Sequence, residues 1–177
     1  SYNNASALYA GSAQVIDPDV YVSDTDSANF AGGKLIVHFL DGTPATHANE
    51  TLAIRNLGAG AGEIGVSGND VSYGGTVIGS FSGAAAGADL MVDLNASATA
   101  EAVQALVQNI TYVHAAPGAS QTDRYLGFRL FDGDGAASAA QSVLVRIQAS
   151  VTLATVGLQD VESAVTLSES AAQAGAV

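Results

Sequence analysis

Residues 124–147 read RYLGFRLFDGDGAASAAQSVLVRI, and this stretch decides the class of fold. Apolar and polar side chains alternate on both sides of an acidic, glycine-rich centre, Asp132-Gly133-Asp134-Gly135. Such alternation is typical of strands with one buried face, whereas Asp and Gly favour tight turns. The stretch therefore predicts two antiparallel strands joined by an acidic turn. The residues predicted to form the buried faces are Leu126, Phe128, Leu130, Val143, Val145 and Ile147.

Short segments with the same alternation, separated by Gly, Asp, Asn or Ser, recur along the rest of the chain. The clearest faces are formed by Leu35, Val37 and Phe39 and by Leu90, Val92 and Leu94. Between them, residues 64–81 are rich in glycine and favour a β-meander. Many short strands at this spacing are typical of a two-sheet sandwich of immunoglobulin-like or cadherin-like type. We therefore expect an all-β protein.

One segment departs from the strand pattern. Val103, Leu106, Val107 and Ile110 recur at helical spacing, which predicts one short helix at about residues 98–109. Ser97 or Thr99 can serve as its N-cap, because a hydroxyl oxygen accepts a hydrogen bond from a free backbone N–H in the first turn.

Composition limits the class of function. The chain has 177 residues, only 5 Lys and Arg against 17 Asp and Glu, a net charge of −12 and no cysteine. This charge disfavours nucleic acid and anionic membranes, and no apolar stretch is long enough to span a bilayer, so we expect neither partner. Disulfides and thiolate metal sites are excluded.

No segment has the pattern of a catalytic site. Residues 79–83 lack serine at the centre of Gly-x-Ser-x-Gly, and residues 58–62 lack the spacing of a phosphate-binding loop. The three histidines, His38, His47 and His114, show no zinc-ligand spacing. Tryptophan, the usual sugar platform, is absent. We expect no catalytic residue and no enzyme activity.

Several motifs occur in an order that resembles a known family, the cadherin-like repeats of very long bacterial adhesins and repeats-in-toxin proteins. The motifs cover about residues 13–149: VIDPDV at 15–20, VSDTDS at 22–27, AGGKL at 31–35, the helix-to-strand passage at 98–112, Arg124, and DGDG at 132–135. Several motifs in one order are more specific than any one alone.

The resemblance implies an extracellular module on a bacterial cell surface. It implies tandem repetition, Ca²⁺ bound by acidic loops, and neighbouring repeats or copies as partners, with a cell-surface receptor or glycan as a possible target. The candidate Ca²⁺ ligands on matching positions are Asp24, Asp26, Asp132 and Asp134, followed by Asp17 and Asp19.

The residue types allow two interpretations of these aspartates. Calcium requires six to eight hard oxygen ligands, and Asp-x-Asp presents two carboxylates from one short segment. Alternatively, the aspartates only cap the backbone of their own turns. An EF-hand is excluded at Asp24 and Asp132, because Leu35 and Val143 stand where the twelfth-position Glu is required.

Arg124 also has two interpretations. It could support a ligand aspartate from the second coordination shell, or it could form a structural ion pair or extend along a strand surface. Arg124 stands out because few bases face many acids in this chain, and the structural alternative is favoured.

The domain prediction divides the chain into a lead-in strand at 1–12, the sandwich at 13–149, and a linker and strand at 150–177 that leads to or completes a neighbouring unit. Residues 165–177 weakly echo residues 8–15. A strand beyond its own domain can complete the sheet edge of a neighbour. The first hypothesis is thus a calcium-binding adhesive repeat, and the alternative is a self-assembling subunit of an extracellular filament or surface layer. An accessory domain of a secreted enzyme is the third.

Overall fold

The computed structural model describes residues 6–9, 12–24, 27–115 and 123–147, and these form an all-β sandwich with one short α-helix. The strands are β1 (Ser6–Tyr9), β2 (Gln14–Val15), β3 (Lys34–Phe39), β4 (Glu50–Ile54), β5 (Ile64–Ser67), β6 (Asp70–Tyr73), β7 (Thr76–Gly83), β8 (Leu90–Leu94), β9 (Ile110–His114), β10 (Arg124–Phe131) and β11 (Gln141–Ile147). The helix α1 spans Ala100–Val107, and a 3-10 turn spans Pro44–His47.

The strands form two sheets. The larger has eight strands in the order β1-β11-β10-β3-β8-β7-β6-β5, and the smaller has the order β2-β9-β4. All neighbours are antiparallel except β1, which runs parallel to β11 with Ser6 opposite Leu144 and Tyr9 opposite Ile147. Strand β1 falls in the predicted lead-in at 1–12, and it pairs with the sandwich directly. Of the predicted linker and strand at 150–177, nothing lies within the described residues.

The predicted hairpin and alternating faces are confirmed. β10 and β11 pair with Phe128 opposite Gln141 and Arg124 opposite Val145, so the acidic turn lies beyond their paired ends. The predicted meander is present as β5, β6 and β7. The predicted inward residues are buried or half-buried, as are the apolar residues of α1. Burial of these faces is the main stabilising contribution, at about 25 cal/mol per Å² of apolar surface.

The helix is shorter than predicted by two residues at each end. Thr99 is its N-cap, and its hydroxyl accepts a hydrogen bond from the backbone N–H of Ala102 at 3.3 Å. At the other end the Asn109 side chain donates to the Ala105 carbonyl at 2.8 Å, which satisfies a free carbonyl of the last turn.

A hydrogen bond ties the helix to β6. The Tyr73 hydroxyl donates to the Glu101 carboxylate at 2.8 Å, and this bond to the acid raises the pKa of Tyr73 above its ordinary value of 10.0. The contact is exposed and joins two surface elements.

Two strand edges are covered by other parts of the chain. The Asn56 side-chain amide donates a hydrogen bond to the Val66 carbonyl and accepts one from the Val66 N–H. It therefore occupies the outer edge of β5. Beside β4, the Leu52 N–H donates to Ala84 and the Gly87 N–H donates to the Glu50 carbonyl. Covered edges resist pairing with other chains. Among the described strands, the other outer strands of the two sheets are β1 and β2.

Candidate functional site

Two aspartate segments far apart in sequence meet at one end of the sandwich, which we call the acidic pole. It comprises Asp17, Asp19, Asp24, Asp132 and Asp134 with the loops that carry them. The Ser27 hydroxyl donates to Asp134 Oδ2 at 2.7 Å across a separation of 107 residues. Asp24 and Asp132 line the same depression, whose volume is about 190 Å³.

The turn at 132–135 is held by its first aspartate. Oδ1 of Asp132 accepts hydrogen bonds from the backbone N–H groups of Asp134, Gly135 and Ala136, at 2.8, 3.1 and 3.0 Å. Gly133 has a φ of +91° and lies against the backbone of residues 31–33, so closely that a Cβ would overlap the Ala31 carbonyl oxygen. The turn is therefore fixed to the segment that leads into β3.

The opposing loop, which carries Asp24, is also held by hydrogen bonding of an aspartate side chain. Oδ1 of Asp24 accepts a hydrogen bond from the Ser27 N–H at 3.2 Å, and its Oδ2 is shielded from solvent. Ser27 thus contacts an aspartate of each segment, Asp24 through its amide and Asp134 through its hydroxyl. Asp26, the remaining first-choice ligand, lies outside the described residues.

Asp17 and Asp19 lie in an adjoining cleft of about 450 Å³. Asp17 is only 4% exposed, and its Oδ1 accepts a hydrogen bond from the Asp19 N–H at 3.1 Å. The residues that line both the cleft and the depression are Ser23, Leu130 and Ser138. The second-choice aspartates therefore belong to the same pole.

The donor chemistry of the pole fits calcium, because carboxylate and hydroxyl oxygens are the hard ligands that this ion prefers. One oxygen each of Asp24, Asp132 and Asp134 is already engaged in a hydrogen bond. Among the described residues, no group of three or more His, Cys, Asp or Glu is arranged to hold a metal ion. A closed ligand set would need further oxygens, from Asp26, backbone carbonyls or water.

Arg124 lies far from this pole. It begins β10, whose other end adjoins Asp132, so about 23 Å separates Arg124 from Phe131 at roughly 3.3 Å per residue. Its guanidinium contacts Glu50, with Nη2 at 2.8 Å and Nε at 2.8 Å from Oε1. Arg124 thus forms an ion pair, one of the structural alternatives that its sequence context favoured.

The partner of Arg124 is a buried carboxylate that the sequence analysis missed. Glu50 is 1% exposed and accepts a hydrogen bond from the Tyr112 hydroxyl at 2.8 Å. His47 Nδ1 lies 3.1 Å from Oε1 of Glu50, and His114 Nε2 lies 3.9 Å from the same oxygen. We call these five residues the Glu50 cluster. Hydrogen bonds from Arg124 and Tyr112 engage both carboxylate oxygens, and the arrangement suits a structural ion pair better than a site that must receive a substrate.

One signal could have revealed this cluster. Glu50 lies in phase with Leu52 and Ile54 on β4, so an acid occupies a position of the buried face. A buried acid requires a cationic partner or several donors, and Arg124 is one of only five cations in the chain.

Fold and site together define the class of this protein as an all-β sandwich with an acidic pole. No family model, curated protein or solved structure matches the chain. In the described part of the chain no helix is long and apolar enough to cross a membrane.

Proposed function

We propose that this chain is a non-catalytic, extracellular structural module of a bacterial surface adhesin, and that calcium bound at the acidic pole stiffens it. The observation that carries the proposal is the convergence of the Asp24 loop and the 132–135 turn through Ser27. The order of motifs along the chain, which resembles cadherin-like repeats, supports the same interpretation.

Charge explains what calcium would do there. Carboxylates held close together repel one another, and a divalent cation converts the repulsion into attraction. Asp24, Asp132 and Asp134 would hold the ion, with Asp26 completing the set. The ion would join the loop before β3 to the turn after β10, and so brace one end of the sandwich.

Topology supports a role in a linear array. β1 and β11 are parallel, and β11 runs from the side of the acidic pole to Ile147, near Arg124. We call this second end the exit pole. Modules joined through opposite poles stack end to end, and calcium at one pole would lie near the junction.

Thermal unfolding of the full chain in calcium and in chelator tests the proposal. A ligand at 100 times its Kd stabilises the folded state by about 2.7 kcal/mol, which raises Tm by roughly 5–10 °C for a domain of this size. Asp132→Asn should abolish the rise. The variant keeps a side-chain oxygen that can accept the hydrogen bonds of the turn, and it loses the charge and one of the two carboxylate oxygens.

Asp70→Asn is the matched control, because Asp70 is an exposed aspartate on β6, near the other edge of the large sheet. It should keep the full calcium effect. A wild-type Tm that is the same in calcium and chelator would contradict the calcium site, and would leave the aspartates with the role of capping their turns.

The alternative function, a subunit of an extracellular filament or surface layer, uses the same end-to-end geometry. It is favoured by the cleft at the acidic pole, which offers a surface for a second chain. In this case the contact between copies replaces the covalent link between repeats.

A further inference from the structure

One histidine of the Glu50 cluster lies between two hydrogen-bond acceptors. His47 ends the 3-10 turn and is only 3% exposed. Its Nδ1 lies 3.1 Å from Oε1 of Glu50, and its Nε2 is within hydrogen-bond distance of the Asp41 carbonyl oxygen. A neutral imidazole has one N–H and one lone pair, whereas an imidazolium has an N–H at both nitrogens. Two acceptors around one ring therefore indicate the imidazolium form.

Neither acceptor can supply the missing proton to a neutral ring. The Asp41 partner is a backbone carbonyl, which only accepts hydrogen bonds. Both oxygens of Glu50 already receive N–H groups of Arg124, at 2.8 Å for Oε1 and 3.0 Å for Oε2, and arginine is always charged. A proton on Oε1 would face those N–H groups. Glu50 therefore acts as an acceptor toward His47, and both protons of the contacts belong to the ring.

The packing around the ring suits a cation. The Phe39 ring stacks on His47 with a centroid distance of 4.2 Å and an interplanar angle of 12°. The face of an aromatic ring attracts a positive charge. On the loop side, Gly42 has no Cβ, and a Cβ there would stand 2.8 Å from Nε2 of His47. The absence of a side chain at Gly42 therefore lets the ring approach the Asp41 carbonyl.

His47 ties one loop to both sheets. This loop, residues 40–49, connects β3 to β4, and we call it the β3–β4 loop. Near β10 the Leu40 N–H donates to the Tyr125 carbonyl at 2.8 Å, and Asp41 Oδ1 accepts a hydrogen bond from the Tyr125 N–H at 3.3 Å. His47 then connects Asp41 to Glu50 in the small sheet. If the ring lost one proton, a lone pair would face an oxygen, and one of the two contacts would open.

Charged and titratable groups of both signs surround the ring. They are Glu50 on β4, the Asp41 carboxylate in the loop, Arg124 on β10, and Tyr112 and His114 on β9. Glu50 favours a positive ring at position 47, whereas Arg124 and burial disfavour a second positive charge beside it. Histidine is the side chain that ordinarily changes charge between about pH 5 and 8. Contributions of opposite sign therefore act on the ring, so that its charge can follow pH.

We propose that His47 is a pH-sensitive latch of the fold. Its imidazolium holds the β3–β4 loop to Glu50, and loss of one proton at higher pH releases the loop. The latched state binds more protons than the unfolded chain over this range, so the stability that the latch contributes is lost as pH rises. The latch goes beyond the calcium function proposed above and does not depend on it, because it lies in the Glu50 cluster and uses no residue of the acidic pole.

A nuclear magnetic resonance titration of the full chain, labelled with ¹⁵N in backbone and histidine, tests the latch directly. His38→Gln and His114→Gln assign the ring signals, since the chain has three histidines. At about pH 5.5 both ring nitrogens of His47 should carry a proton, and at about pH 8.5 only one should. The backbone amide signals of residues 41–47 should change together with the ring signals.

Three results of this titration would overturn the latch. They are a single proton on His47 at the lower pH, two protons at the higher pH, or a titration of the ring that leaves the amide signals of the loop unchanged. The experiment uses the wild-type ring, so its outcome does not depend on whether a variant folds.

Urea unfolding measures what the latch contributes to stability. Between about pH 6 and pH 8.5 the unfolding equilibrium constant of the wild type should rise about tenfold, the effect of losing one hydrogen bond to a charged group. His47→Gln should remove this rise, because the glutamine amide does not change its charge with pH. His38→Gln is the matched control, since His38 lies on β3 outside the Glu50 cluster, and it should keep the full rise.

His114→Gln distinguishes the two histidines of the cluster. His114 Nε2 lies 3.9 Å from Oε1 of Glu50, beyond hydrogen-bond distance of that oxygen, so this variant should keep the rise as well. A rise that persists in His47→Gln and disappears in His114→Gln would overturn the assignment to His47. All unfolding is measured in chelator, so that failure of the calcium site would leave these results unchanged and would appear only in the Tm shifts with calcium.

Discussion

At the level of single residues, the most consequential side chain is Glu50, because it places a charge in the core. The carboxylate is 1% exposed and joins β4 to β9 through Tyr112 and to β10 through Arg124. The cluster therefore connects the small sheet to the large one with polar contacts. Burial makes these contacts strong, and it makes the loss of any one partner costly.

Glu50→Gln should destabilise the protein by about 3–5 kcal/mol, because it leaves the Arg124 guanidinium buried without a counter-charge. Urea unfolding measures the change in the free energy of unfolding. Asp93→Asn is the comparison, since Asp93 pairs with Lys34 at 3.0 Å on the surface, with side chains 63% and 40% exposed. That variant should cost at most about 1 kcal/mol. A similarly small decrease in the free energy of unfolding in both variants would contradict the interpretation of Glu50 as a buried ion-pair partner.

At the level of elements, the 132–135 turn links the sequence motif to the site. Its aspartates are oriented by backbone geometry: Asp132 caps the turn, and Gly133 allows it to approach residues 31–33. The same turn joins β10 to β11, whose pairing forms the wall of the cleft. A change in the turn therefore reaches both the acidic pole and the cleft.

Two glycines of the turn form a natural pair for a test. Gly133 and Gly135 both have positive φ, +91° and +107°, but only Gly133 has backbone atoms where a Cβ would stand. Gly135→Ala should lower the free energy of unfolding by about 1–2 kcal/mol, through backbone strain alone. Gly133→Ala should lower the free energy of unfolding by about 1–3 kcal/mol more than Gly135→Ala does, because the segment at Ala31 must move. Urea denaturation compares the two, and equal losses would mean that the turn does not pack against that segment.

At the level of the whole molecule, the acidic pole and the exit pole lie at opposite ends of β10 and β11. β1 and β11 run in the same direction, from the acidic pole toward the exit pole. Two outer edges, those of β4 and β5, are covered by Ala84, Gly87 and Asn56. Lateral association through those two edges is therefore disfavoured.

The proposed end-to-end function predicts that a protein built from two copies of the sequence in tandem is extended. Small-angle X-ray scattering in calcium should give a maximum dimension roughly double that of one copy, as for stacked repeats. In chelator the distribution of dimensions should broaden, because the junction loses its brace. The tandem with Asp132→Asn in both copies should resemble the chelator sample in either condition. A compact pair in calcium would contradict the end-to-end arrangement.

The amino-acid sequence by itself determined the sandwich, the helix and the acidic turn. These follow from local periodicity, as in Leu126, Phe128 and Leu130, and from turn chemistry at Asp132 and Gly133, both of which act over a few residues. The resemblance in the order of motifs, together with the Asp-x-Asp pattern, singled out the aspartates as candidates and left open whether these bind calcium or cap turns.

Only the tertiary structure decided which of those residues meet. Ser27 and Asp134 are 107 residues apart, and their contact depends on the pairing order of the strands between them. Arg124 and Glu50 are separated by 74 residues, and their pairing became visible only when β4 and β10 were placed in the sandwich. Such features depend on long-range packing, which periodicity along one chain does not encode.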